Sequence, residues 1–155
     1  MESAAKKVIS LAPNPLTAQN EVVLAGAYLQ LNQTSRAAEL LDTALASPDI
    51  AFSDAAAAAQ YLAQMNNFPK LETAIQKLVS LAPNQPEPRY DLAALQAILG
   101  KSTEALQNLK TALDMSTQRL AQNPAARDLL AAARTDQRLD RLRALPEFQK
   151  LVPPK

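Results

Sequence analysis

Apolar residues along this chain recur at helical spacing in short stretches that come in pairs, with a polar break inside each pair. Leu92, Leu95 and Leu99 share one helical face, Gly100 interrupts, and Leu106, Leu109 and Leu113 resume the pattern. A glycine suits a helix C-terminus, because the left-handed conformation there costs it no Cβ clash. Ser102 or Thr103 is expected to cap the following helix by accepting a hydrogen bond from its free amides. Each unit therefore reads as a helix, a tight turn and a second helix.

The units repeat. Val8-Ile9-Ser10-Leu11-Ala12-Pro13-Asn14 returns as Leu78-Val79-Ser80-Leu81-Ala82-Pro83-Asn84, 70 residues later. The interior turn signals Asn32, Asn66 and Gly100 fall 34 residues apart, as do Ala37, Leu71 and Ala105, and Ala44, Leu78 and Ala112. A fixed period of this length marks a stacked helical array, in which each hairpin buries its apolar face against the next.

These residues resemble the tetratricopeptide repeat (TPR), a 34-residue helical hairpin. Leu24, Ala25, Tyr28, Ala37, Leu41 and Ala44 stand at its motif positions, and so do Leu92, Ala93, Ala105, Leu109 and Ala112, with Gln96 in place of the expected tyrosine. The middle unit supplies Ala58, Ala59, Leu62, Leu71, Ile75 and Leu78, with an Asn67-Phe68 turn and Pro83. Where the motif has tryptophan, the chain has Glu21, Ala55 and Arg89. In the middle unit Ala58 replaces Leu24 and Leu92, while Leu71 and Leu78 replace alanines; such a small-for-large exchange keeps the packed volume nearly constant.

The resemblance implies an all-α fold, a right-handed α-α superhelix of tandem TPR-like hairpins closed by C-terminal capping helices. We expect a single domain over 1–155: the second helix of a truncated repeat at 1–14, repeats at 18–51, 52–85 and 86–119, the last with an extended helix, and capping helices at 123–155. Thr117 replaces the proline that would end the third repeat, so the helix begun near Ser102 is expected to run to Asn123-Pro124. Pro124 is expected to open a helix carrying Leu129, Leu130 and Ala133. Another follows from Thr135 or Asp136 with Leu139, Leu142 and Leu145 at spacing three, and Pro146 to Leu151 forms a last turn. This ending resembles the closing segment of many bacterial proteins of the repeat class. Met1 to Leu11 reads as a second helix without its first, which suggests a fragment of a longer protein.

Composition agrees with helix: alanine is about a fifth of the chain and only Gly26 and Gly100 are glycines. Sixteen basic and fifteen acidic residues leave a net charge of +1, with no field to gather nucleic acid. Neither histidine nor cysteine is present, which removes imidazole bases, thiolate nucleophiles and the usual zinc ligands. Two isolated glycines build no phosphate loop. No cofactor, metal or catalytic residue is expected, and no stretch is apolar enough for direct membrane insertion. Asp136 and Asp140, one turn apart, read as a solvated face among Arg138, Arg141 and Arg143 rather than as an acid–base pair. The basic set Arg127, Arg134, Arg138, Arg141, Arg143, Lys150 and Lys155 is interrupted by Asp128, Asp136, Asp140 and Glu147, and with only Phe148 aromatic nearby it offers no base-stacking platform. The run Ala55 to Ala59 reads as close helix packing.

In the resembled family, partners lie in a groove lined by the first helix of each pair. The matching positions are Val22, Gly26, Leu29, Ala56, Gln60, Ala63, Tyr90, Ala94 and Ala97. They imply a mostly small, apolar surface for an extended or helical peptide of a protein partner. The lysine and asparagine set that clamps a carboxyl-terminus in some family members is missing. The alternatives are packing of these residues against neighbouring repeats or a second copy, as in an architectural or homo-oligomerisation module, and a helical-repeat nucleic-acid binder.

Overall fold

The computed structural model describes residues 2–12 and 16–154. Met1 of the first helix, the Pro13-Asn14 end of the first repeated motif, the boundary at 14, and Lys155 of the basic set lie outside them. Among the described residues the regular structure is helical: α1 (Glu2–Ser10), α2 (Ala18–Gln30), α3 (Thr34–Ala46), α4 (Phe52–Gln64), α5 (Phe68–Leu81), α6 (Pro86–Ile98), α7 (Ser102–Gln122), α8 (Leu129–Thr135), a 3-10 helix (Gln137–Leu142) and α9 (Pro146–Leu151). Where the sequence leads us to expect a single domain, the chain divides into two compact units, Met1–Leu81 and Ala82–Lys155.

One turn is used three times. Asn32 (φ 57°), Asn66 (φ 54°) and Gly100 (φ 79°) each hold the left-handed conformation just past a first helix. The amide after each reaches back five residues: Gln33 N donates to Tyr28 O (2.9 Å), Asn67 N to Leu62 O (2.9 Å) and Lys101 N to Gln96 O (2.9 Å). The left-handed residue itself donates three residues back, to Leu29, Ala63 and Ala97. This pair of bonds satisfies carbonyls that a helix end otherwise orphans. The same residue that donates the longer bond precedes the next helix, since Ala37 N, Leu71 N and Ala105 N donate to the carbonyls of Gln33, Asn67 and Lys101.

That economy corrects the expected cap at Ser102 or Thr103. Lys101 is the residue before α7 and makes no side-chain capping bond, and Ser102 is already helical. The capping position falls on Lys101, whose ammonium is no acceptor for the first amides of α7. In the middle turn Asn67 Oδ1 does accept from Lys70 N (3.4 Å).

In the first unit α2 pairs with α3 and α4 with α5, while α4 lies beside α2 and α5 beside α3; α1 packs on α2. Leu24, Leu41, Leu62 and Ile75 are buried between them. The exchanged residues of the middle hairpin, Ala58, Leu71 and Leu78, are buried too. An ion pair from Lys70 to Asp42 and a bond from Lys77 Nζ to Ser47 O (3.0 Å) tie α5 to α3 and the turn after it.

In the second unit α6 pairs with α7, the 3-10 helix lies against α6, and α8 and α9 pack on α7. Gln96 explains its own departure from tyrosine: it is buried, and its Oε1 accepts from Asn108 Nδ2 (2.8 Å), where the other second helices have Leu40 and Ala74. Thr117 continues α7 and donates its hydroxyl to Leu113 O (3.0 Å). Pro124 does not open a helix. Residues 123–126 form a turn held by Asn123, whose backbone and side-chain oxygens accept from Ala126 N (2.9 Å) and Ala125 N (3.2 Å). Helix α8 begins at Leu129 instead, capped by Asp128, whose carboxylate accepts from Ala131 N (3.0 Å). The buried Ser116 hydroxyl fixes this junction by donating to Arg127 O (3.3 Å) and accepting from Leu129 N (3.2 Å). The helix expected from Asp136 is of the 3-10 type, in which residues three apart share one face. That spacing sends both Leu139 and Leu142 fully into the core.

Gly100→Ala tests the turn. A Cβ at Gly100 would meet only Arg141 Nη1 at 3.9 Å, an ordinary contact, so the penalty is the left-handed backbone alone. The expected loss is about 1–2 kcal/mol in urea unfolding, and a smaller loss would show that the turn tolerates a side chain.

Candidate functional site

The groove positions inferred from the repeat pattern fall in both units. In the first, Gln60 and Ala63 of α4 are exposed, Leu29 and Ala56 are half-buried, and Val22 and Gly26 are buried. Gly26 is covered by Tyr61 of α4: a Cβ built on Gly26 would lie 2.6 Å from the Tyr61 hydroxyl oxygen. The missing side chain on α2 is therefore filled by the phenol of the neighbouring first helix. Val23, next to this face on α2, is 52% exposed. Tyr61 was not among the sequence-derived site residues. Its signal was the pairing of a mid-helix glycine with an aromatic one repeat and one residue later.

In the second unit Tyr90, Ala94 and Ala97 are 1%, 0% and 0% exposed. They belong to a core cluster with Leu139, Leu142 and Phe148, so this first-helix face is occupied by the chain's own C-terminal segment. Polar bonds hold the cover in place. The Tyr90 hydroxyl donates to Asp136 Oδ2 (3.0 Å), and Arg138 stands 5.8 Å from the Tyr90 ring centroid while pairing with Asp136 (2.7 Å) and Asp91 (3.0 Å). Arg141 Nη1 donates to Ile98 O (2.6 Å), capping the C-terminal end of α6. A cation suits a helix C-terminus, where carbonyls point outward.

These contacts correct the solvated-face reading of Asp136, whose side chain is only 15% exposed. Hydrogen bonds from Arg138 hold its carboxyl below the usual aspartate range, the opposite of what a general acid needs. Asp140 pairs instead with Arg143 Nε (2.7 Å). The Tyr90 phenol is pushed well above its ordinary range, first by burial and then by the Asp136 charge. Arg143 also donates to the carbonyls of Arg134 (2.9 Å) and Asp136 (2.9 Å) and stacks 5.7 Å from Phe148, and Arg134 Nε donates to Pro153 O (3.1 Å). Arg134, Arg138, Arg141 and Arg143 thus serve as internal fastenings of the closing segment. At its start, Arg119 makes a two-pronged pair with Glu87 (3.0 and 2.6 Å), and that bonding lowers the Glu87 carboxyl below its ordinary value. Among the described residues no group of three or more acidic side chains is placed to hold a metal, and no helix is long and apolar enough to cross a membrane.

The architecture is an all-α helical repeat of the TPR-like kind. The solved structure of MamA AMB-1, a TPR-like protein, superposes with a TM-score of 0.56 at 20% sequence identity, covering 97% of this chain and 80% of that one. No family model matches the chain, and no curated protein matches it in sequence.

The carboxyls carry a signed pH dependence. Asp136 and Glu87 have depressed values in the folded state, so their stabilisation is present above the unfolded value and lost as the pH falls through the folded one. Asp136→Asn is expected to lower the urea midpoint near neutral pH and to shrink the drop seen on acidification; an undiminished drop would show that the pair around Tyr90 contributes nothing. Glu21 is the reverse case: it is 8% exposed and burial raises its carboxyl, so the folded chain binds more protons and stability falls as the pH rises past the ordinary glutamate range. Glu21→Gln is therefore expected to raise the neutral-pH midpoint, with the gain vanishing in acid.

Proposed function

We propose that this chain is a protein–protein interaction scaffold without catalysis of its own, which binds an extended or helical peptide segment of a partner along the first-helix face of the first unit. The observation that carries this reading is the contrast between the two units. Tyr90, Ala94 and Ala97 are enclosed by the closing segment, whereas Leu29, Ala56, Gln60 and Ala63 remain half-buried or exposed on neighbouring helices. A small, apolar, rigid helical face with one amide suits a packed peptide, with Gln60 fixing its register. The fold supports the same reading, since stacked hairpins present surface rather than an enclosed chemical pocket. Engagement of Arg134, Arg138, Arg141 and Arg143 in intramolecular bonds supports a protein partner over a nucleic acid, because those guanidinium groups already have partners.

Peptides selected from a random phage-displayed library test the proposal. Their affinity is expected to fall by roughly tenfold or more for Leu29→Asp and Ala63→Asp, with both variants shown to be folded by circular dichroism. Unchanged affinity in folded variants discards the peptide site. A concentration-dependent dimer in light scattering that both substitutions abolish would favour the architectural, self-associating reading instead.

A further inference from the structure

Of the chain's six aromatic side chains, three have an arginine over the ring, and Tyr61, Phe52 and Phe68 have none among the described residues. Arg36 stands 5.7 Å from the Tyr28 ring, Arg138 5.8 Å from Tyr90, and Arg143 5.7 Å from Phe148. Tyr61 has neither a cation over its ring nor a hydrogen bond on its hydroxyl among the described residues, although it lies half-exposed across Gly26. Asp54 precedes it by seven residues on α4, two helical turns, and so shares its stripe of the helix. Its carboxylate likewise has no ion-pair or side-chain hydrogen-bond partner among the described residues. Neither α2 nor α4 contains a lysine or arginine, and their only charged residues are Glu21 and Asp54.

The second unit shows what a tyrosine near a carboxylate on a first helix accepts, although there the two are adjacent in sequence and not seven residues apart. There a tyrosine of the first helix, Tyr90, and a carboxylate beside it, Asp91, are met by Arg138, followed at once by Leu139 and then by Leu142, both fully buried in one cluster with Ala94 and Ala97. The occupant is a short helical turn of the pattern arginine-leucine-x-x-leucine. Its cation covers the ring and pairs with the carboxylate, and its leucines fill the space left by small side chains.

The geometry points to the same chemistry for the partner of the first unit: a short helical segment bearing an arginine or lysine followed by leucines, its cation over the Tyr61 ring and within reach of Asp54, its apolar side chains on Ala56, Ala63 and Leu29. This rests on the peptide-binding reading above and narrows it from any apolar segment to a cationic one. A cation over an aromatic face is attracted by the ring quadrupole, and the attraction grows as the site loses water. The Asp54 carboxylate disfavours anionic segments, which adds to specificity.

The probe is a labelled synthetic peptide with the sequence of residues 137–145 of this chain, Gln-Arg-Leu-Asp-Arg-Leu-Arg-Ala-Leu, followed by fluorescence anisotropy with the full chain. Tyr61→Leu is expected to weaken binding roughly fivefold to thirtyfold while Tyr61→Phe, which keeps the ring, stays near wild type. Asp54→Asn should weaken it roughly twofold to fivefold, with the loss disappearing in high salt. A peptide with its arginines replaced by glutamine should bind more weakly by a similar factor. If the glutamine peptide binds as well as the arginine one and Leu29→Asp still abolishes both, the cation inference is overturned while the docking face stands. Binding that ignores every first-unit variant means the peptide sits elsewhere, for example in exchange with the closing segment, and overturns it as well; so does an absence of measurable binding.

Discussion

The structure depends on one backbone event, the entry of a single residue into the left-handed region at the end of a first helix. Asn32, Asn66 and Gly100 each make it, and each time the two amides that follow the last helical turn bond back to Tyr28 and Leu29, Leu62 and Ala63, or Gln96 and Ala97. Because the second helix begins on the very next residue, these bonds fix the direction in which it leaves. Every apolar face in a hairpin is aimed by that choice. A hairpin aimed differently would present its leucines to water, and hydrophobic burial, which has no direction of its own, would not correct it.

Given that geometry, side-chain size settles the rest. Alanines at 37, 44, 105 and 112 are buried completely, as is Ala58, and leucines stand opposite where the helices need filling. The close approach of α2 and α4 goes one step further, with Gly26 offering no side chain and Tyr61 occupying the place. In the second unit the filling comes from Leu139 and Leu142, delivered by a 3-10 helix whose three-residue turn matches their spacing. Polar groups are few and specific: Gln96 with Asn108, Ser116 with the backbone on either side of Asp128, and Arg119 with Glu87.

Much of this was legible in the amino-acid sequence because it is periodic. The 34-residue recurrence of the turn residues and the paired helical stripes specify hairpins without any knowledge of long-range contacts. The exchange of large and small residues in the middle hairpin was legible for the same reason. What the sequence did not disclose is aperiodic. Asp128 and not Pro124 starts α8 because the Ser116 hydroxyl, more than ten residues away, fastens the junction. Tyr90, Ala94 and Ala97 lie on a lining face by repeat arithmetic, yet a segment some 46 residues on closes over them. Asp136 looked like a solvated helix-surface acid because its partner Tyr90 is equally remote. Tyr61 escaped notice because it fills another helix's vacancy, and repeat alignment compares like positions rather than contacting ones.

The bond between Tyr90 and Asp136 also bears on the order in which the second unit is assembled. Its hairpin can close from the turn outward, through Gln96 and Asn108 before Glu87 and Arg119, so that each step loses little further chain entropy. The tyrosine and the aspartate must close a loop of 46 residues before they reward it. Loop entropy thus favours closure of the segment over α6 after the hairpin, and a hairpin without that cover would display Tyr90 and its alanines.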